Sequence, residues 1–173
     1  MPWKEISKDT IIFDPKVQSY CNNPKFVCPY YGHSWACPPN APFLGEEIMN
    51  YKKYYLIYTK FDLKEENHNK HKNSLRYDYM RDIMEQEMEK FLQTHQEKLT
   101  ELRILWDGHC RICEKEDKKC SIEDDDPCRY PEIIRYSMEA VGIDVTQTVK
   151  NVNLDIEWPP INHVYRFGLV CIK

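Results

Sequence analysis

The chain has 173 residues, with 24 Lys and Arg against 28 Asp and Glu, so its formal net charge is −4. Hydrophobic residues make up 42% and charged residues 30%, which excludes a disordered or fibrous chain and favours one domain over residues 1–173. The negative charge disfavours a nucleic-acid partner, and no apolar run reaches the roughly 18 residues of a membrane span. The N-terminal segment also lacks the apolar stretch of a secretory signal. We therefore expect a cytoplasmic protein that binds neither nucleic acid nor membranes.

The predicted elements form a small α+β fold with a mixed sheet. Runs of β-branched and aromatic residues predict strands, and apolar residues spaced by three and four predict helices. The predicted strands cover residues 10–13, 54–58, 102–106 and 164–171. The predicted helices cover residues 74–98, 131–142 and 144–150. Between the strands at 10–13 and 54–58, residues 21–45 hold five of the 11 prolines and are predicted to be an ordered loop. Residues 63–73 are polar and predict a solvated loop.

The helix predicted over about 74–98 is the longest element of the chain. Its apolar side chains recur on one face, beginning with Met80, Met84 and Met88, whereas Glu85 and Lys90 lie on the other face. The next predicted helix starts at Pro131 and stops at Gly142, and Asp144 is the predicted N-cap of the last one. The expected core is therefore a sheet packed against one long helix.

The eight cysteines carry the strongest chemical signal, because seven of them fall in two groups. Disulfides are rare in a reducing compartment, where clustered cysteines indicate a metal site or, less often, redox-active thiols. We therefore interpret both groups mainly as metal ligands. The first group lies in the loop at 21–45 and the second at 108–131.

The second group, Cys110, Cys113, Cys120 and Cys128, supplies four thiolates. Four thiolates hold either tetrahedral Zn²⁺ or a [4Fe–4S] cluster. The spacing favours the cluster, because seven residues separate the last two cysteines, too many for a zinc knuckle. A proline follows shortly after Cys128, loosely as in bacterial ferredoxins.

Three neighbours of these cysteines have two interpretations each. His109 is a turn residue or a further ligand, and Arg129 is a solvated side chain or a hydrogen-bond donor to cluster sulfur. The acidic run at 123–126 is a solvated loop or a docking site for a basic redox partner.

The first group, Cys21, Cys28 and Cys37, is one ligand short of either kind of site. The fourth ligand is His33, Cys171, a residue elsewhere, or none. An iron without a fourth protein ligand would be free to bind substrate. The alternative is that Cys21 or Cys28 packs as a small buried hydrophobe, and Cys171, in an apolar strand, favours a core position.

The motifs together resemble a known family. The chain contains C-P-Y-Y-G-H-S-W-A-C-P-P from Cys28, C-R-I-C from Cys110, C-R-Y-P from Cys128 and S-M-E-A-V-G-I-D from Ser137. In combination these resemble the family of predicted metal-binding proteins, a domain of unknown function, over roughly residues 20–172. Members often carry a further cysteine where this chain has Val141. The resemblance implies metal binding and a cytoplasmic, often anaerobic setting, and it supplies no reaction.

Three functions are consistent with these residues. The first is an iron–sulfur protein with one or two [4Fe–4S] clusters that exchanges electrons with a protein partner. The second is an enzyme that uses the free iron of the three-cysteine site, with acid or base groups among Tyr30, Tyr31, His33 and Glu139. The third is an interaction module stapled by Zn²⁺, without catalysis. The oligomeric state is left open, and no nucleotide-binding or zinc-protease motif is present.

Overall fold

A computed structural model of the chain describes residues 3–63, 73–95, 101–157 and 159–173. It confirms the α+β class. Four antiparallel strands form one sheet in the order β1-β4-β6-β5, and a two-stranded hairpin, β2-β3, lies apart from it. The strands are β1 (Trp3–Ile6), β2 (Asn22–Asn23), β3 (Phe26–Val27), β4 (Lys53–Asp62), β5 (Leu102–Leu105) and β6 (His163–Ile172).

A single long helix covers one face of the sheet, as predicted. This helix, α2 (Asn73–His95), buries Met84, Met88 and Phe91 against Ile57 and Val170 of the two central strands. The close approach needs a glycine at position 168, because a Cβ there would overlap the sulfur of Met88. None of the described helices is both long enough and apolar enough to cross a membrane.

Two short helices and an irregular segment cover the other face. The helices are α1 (Gly45–Met49) and α3 (Val145–Asn151), and residues of the segment 137–143 pack with them in the core on this face. Asp144 caps α3 as predicted, because its side chain accepts a hydrogen bond of 2.9 Å from the Gln147 amide. Leu56 and Leu169 from the sheet pack here against Val141.

The helix predicted over 131–142 is wrong, since only a 3₁₀ turn, Glu139–Val141, forms there. The tertiary structure uses the backbone of this segment instead. The Trp106 amide donates to the Tyr136 carbonyl at 2.7 Å, and Ser137 makes a parallel bridge to Trp106. Gly142 then takes φ +93°, a conformation that a helix excludes.

The strand predicted over 10–13 is also displaced. The N-terminal strand is β1, and a 3₁₀ turn, Lys8–Thr10, follows it. Only Phe13 pairs, in an isolated bridge to Ile143. The solvated loop predicted over 63–73 and the end of the long helix at 96–98 lie mostly or wholly outside the described residues.

Candidate metal centre

All eight cysteines are free thiols. We use two names below: the first cysteine loop is residues 21–45, and the second cysteine loop is residues 108–131. Cys171 belongs to neither, because it is fully buried in β6, in the core beside Tyr54, as its apolar strand predicted.

The first cysteine loop begins with a hairpin that brings two cysteines together. Cys21 and Cys28 flank β2 and β3, and the Cys28 amide donates to the Cys21 carbonyl at 2.8 Å. Cys37 follows in a series of turns, and its carbonyl accepts from the amides of Asn40 and Ala41 at 3.0 Å. The proline-rich segment is therefore an ordered loop, as predicted.

The segment at 137–143 supports the first cysteine loop. The Gln18 side chain donates to the carbonyls of Ala41 at 3.1 Å and Ala140 at 2.8 Å, so it ties the loop to that segment. The Leu44 amide donates to the Val141 carbonyl at 3.2 Å. Val141, where family members often carry a cysteine, faces the core.

The second cysteine loop contains two turns of the same design. The 3₁₀ turns Cys113–Glu116 and Ser121–Asp124 end at Asp117 and Asp125, both left-handed with φ 55°. A cysteine begins the first turn, and Cys120 immediately precedes the second. An aspartate tolerates the left-handed region better than most residues, so the two turns suit their sequence.

The four thiols of the second cysteine loop line one cavity of about 330 Å³. Its wall also includes Tyr30, His33 and Trp35 from the first cysteine loop and His109. A cavity of this size is at the small end of cofactor and ligand pockets. The four predicted ligands therefore face a shared space that one loop forms and the other helps to cover.

The two cysteine loops are in direct contact. The ring of Tyr30 stacks on His109, with centroids 3.4 Å apart and planes 14° apart. The Trp35 indole donates to the Asp126 carbonyl at 3.0 Å, and His33 Nδ1 lies 2.7 Å from Glu123 Oε1. Of the acidic run at 123–126, Glu123 therefore pairs with the first loop, and Asp124 pairs with Arg129 at 3.0 Å.

Arg81, which the sequence analysis did not single out, holds the turn before Cys110. Its guanidinium donates to the His109 carbonyl at 2.7 Å, to the Asp107 carbonyl at 3.4 Å and to His109 Nδ1 at 2.9 Å. His109 Nε2 then donates to Glu114 at 2.9 Å, which assigns the proton of the neutral ring to Nε2. Burial, together with the positive charge of Arg81, lowers the pKa of His109 to about 4.

Burial raises the pKa of three thiols. It raises the pKa of Cys37 to about 12; a hydrogen bond with Ser34 opposes the rise, and the charges of Cys28, Cys21 and Cys110 add to it. Burial likewise raises the pKa of Cys21 and of Cys128. A reactive cysteine needs a lowered pKa, so Cys21, Cys37 and Cys128 are not activated as nucleophiles.

Arg129 acts as a hydrogen-bond donor to backbone and carboxylate oxygens. Its guanidinium donates to the Lys119 carbonyl at 2.8 Å and to Asp124 at 3.0 Å, both within the second cysteine loop. No group of three or more Cys, His, Asp or Glu side chains in the described part of the chain is close enough to hold a metal ion as it stands. Ligation would therefore draw the four thiols inward, into the cavity they line.

The family assignment can now be compared with this geometry. The family model described as "Predicted metal-binding protein (DUF2284)" matches residues 4–172, so the chain belongs to this family. The match covers both cysteine loops and nearly all of the four-stranded sheet. No curated protein and no solved structure matches the chain.

Proposed function

From its membership of this metal-binding family, we propose that the chain is an iron–sulfur protein that exchanges electrons with a protein partner. Cys110, Cys113, Cys120 and Cys128 would hold a [4Fe–4S] cluster. The residues fit the group, because four sulfur donors face one cavity, and Cys₄ ligation is the usual arrangement for such a cluster. Cys21, Cys28 and Cys37 would hold a second group beside it.

The size of the cavity is the observation that carries this proposal. Four thiolates close around Zn²⁺ at about 2.3 Å and need no cavity. Here the four cysteines line, together with residues of the first cysteine loop, a cavity of about 330 Å³ into which ligation would draw them. That arrangement favours an inorganic group of several atoms over a single ion.

The chemistry required of the protein is modest. A bound [4Fe–4S] cluster gains or loses one electron, at a potential set by hydrogen bonds to sulfur, net charge and exposure. The chain would hold the group, shield it with Tyr30 and Trp35, and place the positive charge of Arg129 next to the ligand Cys128. Arg129 is itself an exposed residue, so the second cysteine loop gives a partner short access to the group.

The test is anaerobic purification of the full chain, followed by titration with a one-electron reductant. We expect a visible charge-transfer absorption that bleaches on reduction and returns on reoxidation, without any added substrate. The Cys120→Ser variant should lose the signal of the four-cysteine site. A colourless protein that carries Zn²⁺ would replace the proposal with a structural zinc module.

One observation favours a second function, an enzyme that uses a free metal position at the three-cysteine site. Glu139 is exposed to solvent in the 3₁₀ turn Glu139–Val141. Gln18 ties the next residue, Ala140, to Ala41 of the first cysteine loop, so this carboxyl belongs to the segment that supports the three-cysteine site. A substrate-dependent change in the electron paramagnetic resonance signal of only one group, lost in Glu139→Gln, would support this function.

A further inference from the structure

Arg81 is a buried cation at the meeting point of the two cysteine loops. Only 5% of the residue is exposed, although it belongs to the long helix α2. Its hydrogen bonds go to two backbone carbonyls and the His109 ring, and among the described side chains its Nε is the one buried polar atom without a partner. A buried charge is costly unless an opposite charge compensates it.

The carboxylate of Asp107 is already committed to another arginine. Asp107 Oδ2 accepts from Arg166 Nε at 2.6 Å, and to Arg81 this residue offers its carbonyl oxygen. Glu85, the acidic residue one turn along α2, pairs with Arg135 at 2.9 Å. The positive charge of Arg81 is therefore only partly balanced by the carboxylates around it.

Arg81 lies next to the four-cysteine site, where metal-bound thiolates would supply the negative charge that balances it. Its Nη2 donates at 2.7 Å to the carbonyl of His109, which is joined by one peptide bond to Cys110. The His109 ring also stacks on Tyr30, which belongs to the same loop as Cys28. Gly108 allows this approach, because its φ is +69° and an added Cβ would lie 3.0 Å from Arg81 Nε.

We propose that Arg81 is the counter-charge of the four-cysteine centre and that its positive charge strengthens the binding of a net anionic metal–thiolate group there. The inference rests on the proposed metal site but not on the identity of the metal. Four thiolates carry more negative charge than either Zn²⁺ or the core of a [4Fe–4S] cluster supplies in positive charge, so both centres are anionic. Arg81 acts as a positioning residue, because it reaches Cys110 only through the His109 peptide.

The test compares Arg81→Met with Arg81→Lys, using Zn²⁺ alone as the probe. Methionine keeps a flexible unbranched side chain and removes the charge, whereas lysine keeps the charge and loses the planar fork. Affinity is measured on the full-length, metal-free chain by competition with a chelator. We expect Arg81→Met to bind Zn²⁺ about 10–100-fold more weakly, the usual loss for an outer partner of a metal site. Arg81→Lys should stay closer to the wild type than to Arg81→Met.

A matched control is Lys90→Met, which removes a positive charge from an exposed site of the same helix, where Lys90 pairs with Glu87. Its affinity should equal that of the wild type. The proposal is overturned if Arg81→Met binds Zn²⁺ as tightly as the wild type. It is also overturned if the methionine and lysine variants lose affinity equally, or fail to fold alike, since Arg81 would then act only through packing of the turn. Colour and iron content of the wild type test the proposed function separately.

Discussion

The two cysteine loops are held in place by different sets of hydrogen bonds. The second cysteine loop is braced largely from within: Lys118 and Glu123 donate their amides to the carbonyls of Cys113 and Cys120, and the Ser121 hydroxyl donates to Pro127 at 2.8 Å. The first cysteine loop is held from outside, through Gln18 and the segment at 137–143. One site is thus braced mainly by its own loop, with Arg81 holding the turn before Cys110, and the other is part of the core packing.

The difference in support goes with a difference in exposure at one cysteine. The four thiols of the second cysteine loop are all half-buried, as are Cys21 and Cys28, whereas Cys37 in the first loop is only 9% exposed. A loop that supports itself can close around a metal group without disturbing the sheet. A loop tied to the core holds its ligands rigidly, which suits a site with a fixed set of three and a position left for another molecule.

The largest expected effect separates the two sites directly. Cys120→Ser should remove the metal of the four-cysteine site, because it deletes one of four ligands on a loop with no fifth thiol. Cys21→Ser should leave that metal in place and affect only the three-cysteine site. Metal analysis of each variant purified anaerobically measures this difference. Cys171→Ser is the control and should keep the full metal content; equal losses in all three variants would contradict the division into two sites.

The next effect concerns two glycines: Gly142, which packs against Phe43 of the first cysteine loop, and Gly108, the first residue of the second cysteine loop. Gly142→Ala should destabilise the fold by about 1–3 kcal/mol, because its added methyl overlaps the Phe43 ring at a left-handed φ of +93°. Gly108→Ala should cost about 1–2 kcal/mol for its own left-handed φ of +69°. Unfolding in urea measures both.

The metal content of these variants then sharpens the comparison. Gly142→Ala should weaken the three-cysteine site first, because Gly142 packs against Phe43 of the first cysteine loop. Gly108→Ala should weaken the four-cysteine site first, because Gly108 begins the second cysteine loop and packs against Arg81. If both variants affected the same site, the loops would not be supported independently.

A smaller effect tests the contact between the loops. Trp35→Phe removes the hydrogen bond from the indole to the Asp126 carbonyl and keeps an aromatic ring, so it should cost about 0.5–1.5 kcal/mol. The Tyr30–His109 stack remains, and we expect both sites to keep their metal. Thermal unfolding gives the loss of stability, and an unchanged melting temperature would show that the bond does not hold the loops together.

The smallest effect is a pH dependence away from both loops. Hydrogen bonds from the side chain and amide of Asn162 and from the amide of Ile161 lower the pKa of Glu157 to about 2. Its ordinary value is 4.5, so the stabilisation is complete above that pH and is lost as the pH falls toward 2. Glu157→Gln should be slightly less stable at pH 7 and match the wild type near pH 2. A constant difference between pH 7 and pH 2 would contradict this assignment.

Periodicity and composition predicted the parts of the fold that depend on burial. Continuous apolar patterns mark β4, β5, β6 and α2, and the Asp144 cap is a local hydrogen bond. The sequence alone was therefore sufficient to predict these elements. Pro131 and the apolar residues after it also looked helical. That prediction failed because Trp106 and Gln18 bind the backbone of this segment, and no local pattern shows such partners.

The candidate site likewise contains residues that the sequence predicted and one that it did not. Cysteine spacing pointed to the four residues that line the cavity, and Arg129 next to Cys128 was a plausible donor to sulfur. Arg81 lies 29 positions before Cys110 and looks like an ordinary surface arginine of an amphipathic helix. Its role follows from the crossing of α2 beneath the His109 turn, which only the tertiary structure provides. The one local hint was Gly108, a residue that permits close approach.

The most direct test of the central claim is the metal and acid-labile sulfide content of the wild-type chain, purified and assayed without oxygen. A [4Fe–4S] cluster on the second cysteine loop requires about four irons and about four sulfides per chain, and a second cluster raises both to about eight. We expect one of these two results, with less than stoichiometric zinc. One or two zinc ions per chain with neither iron nor sulfide would contradict the account.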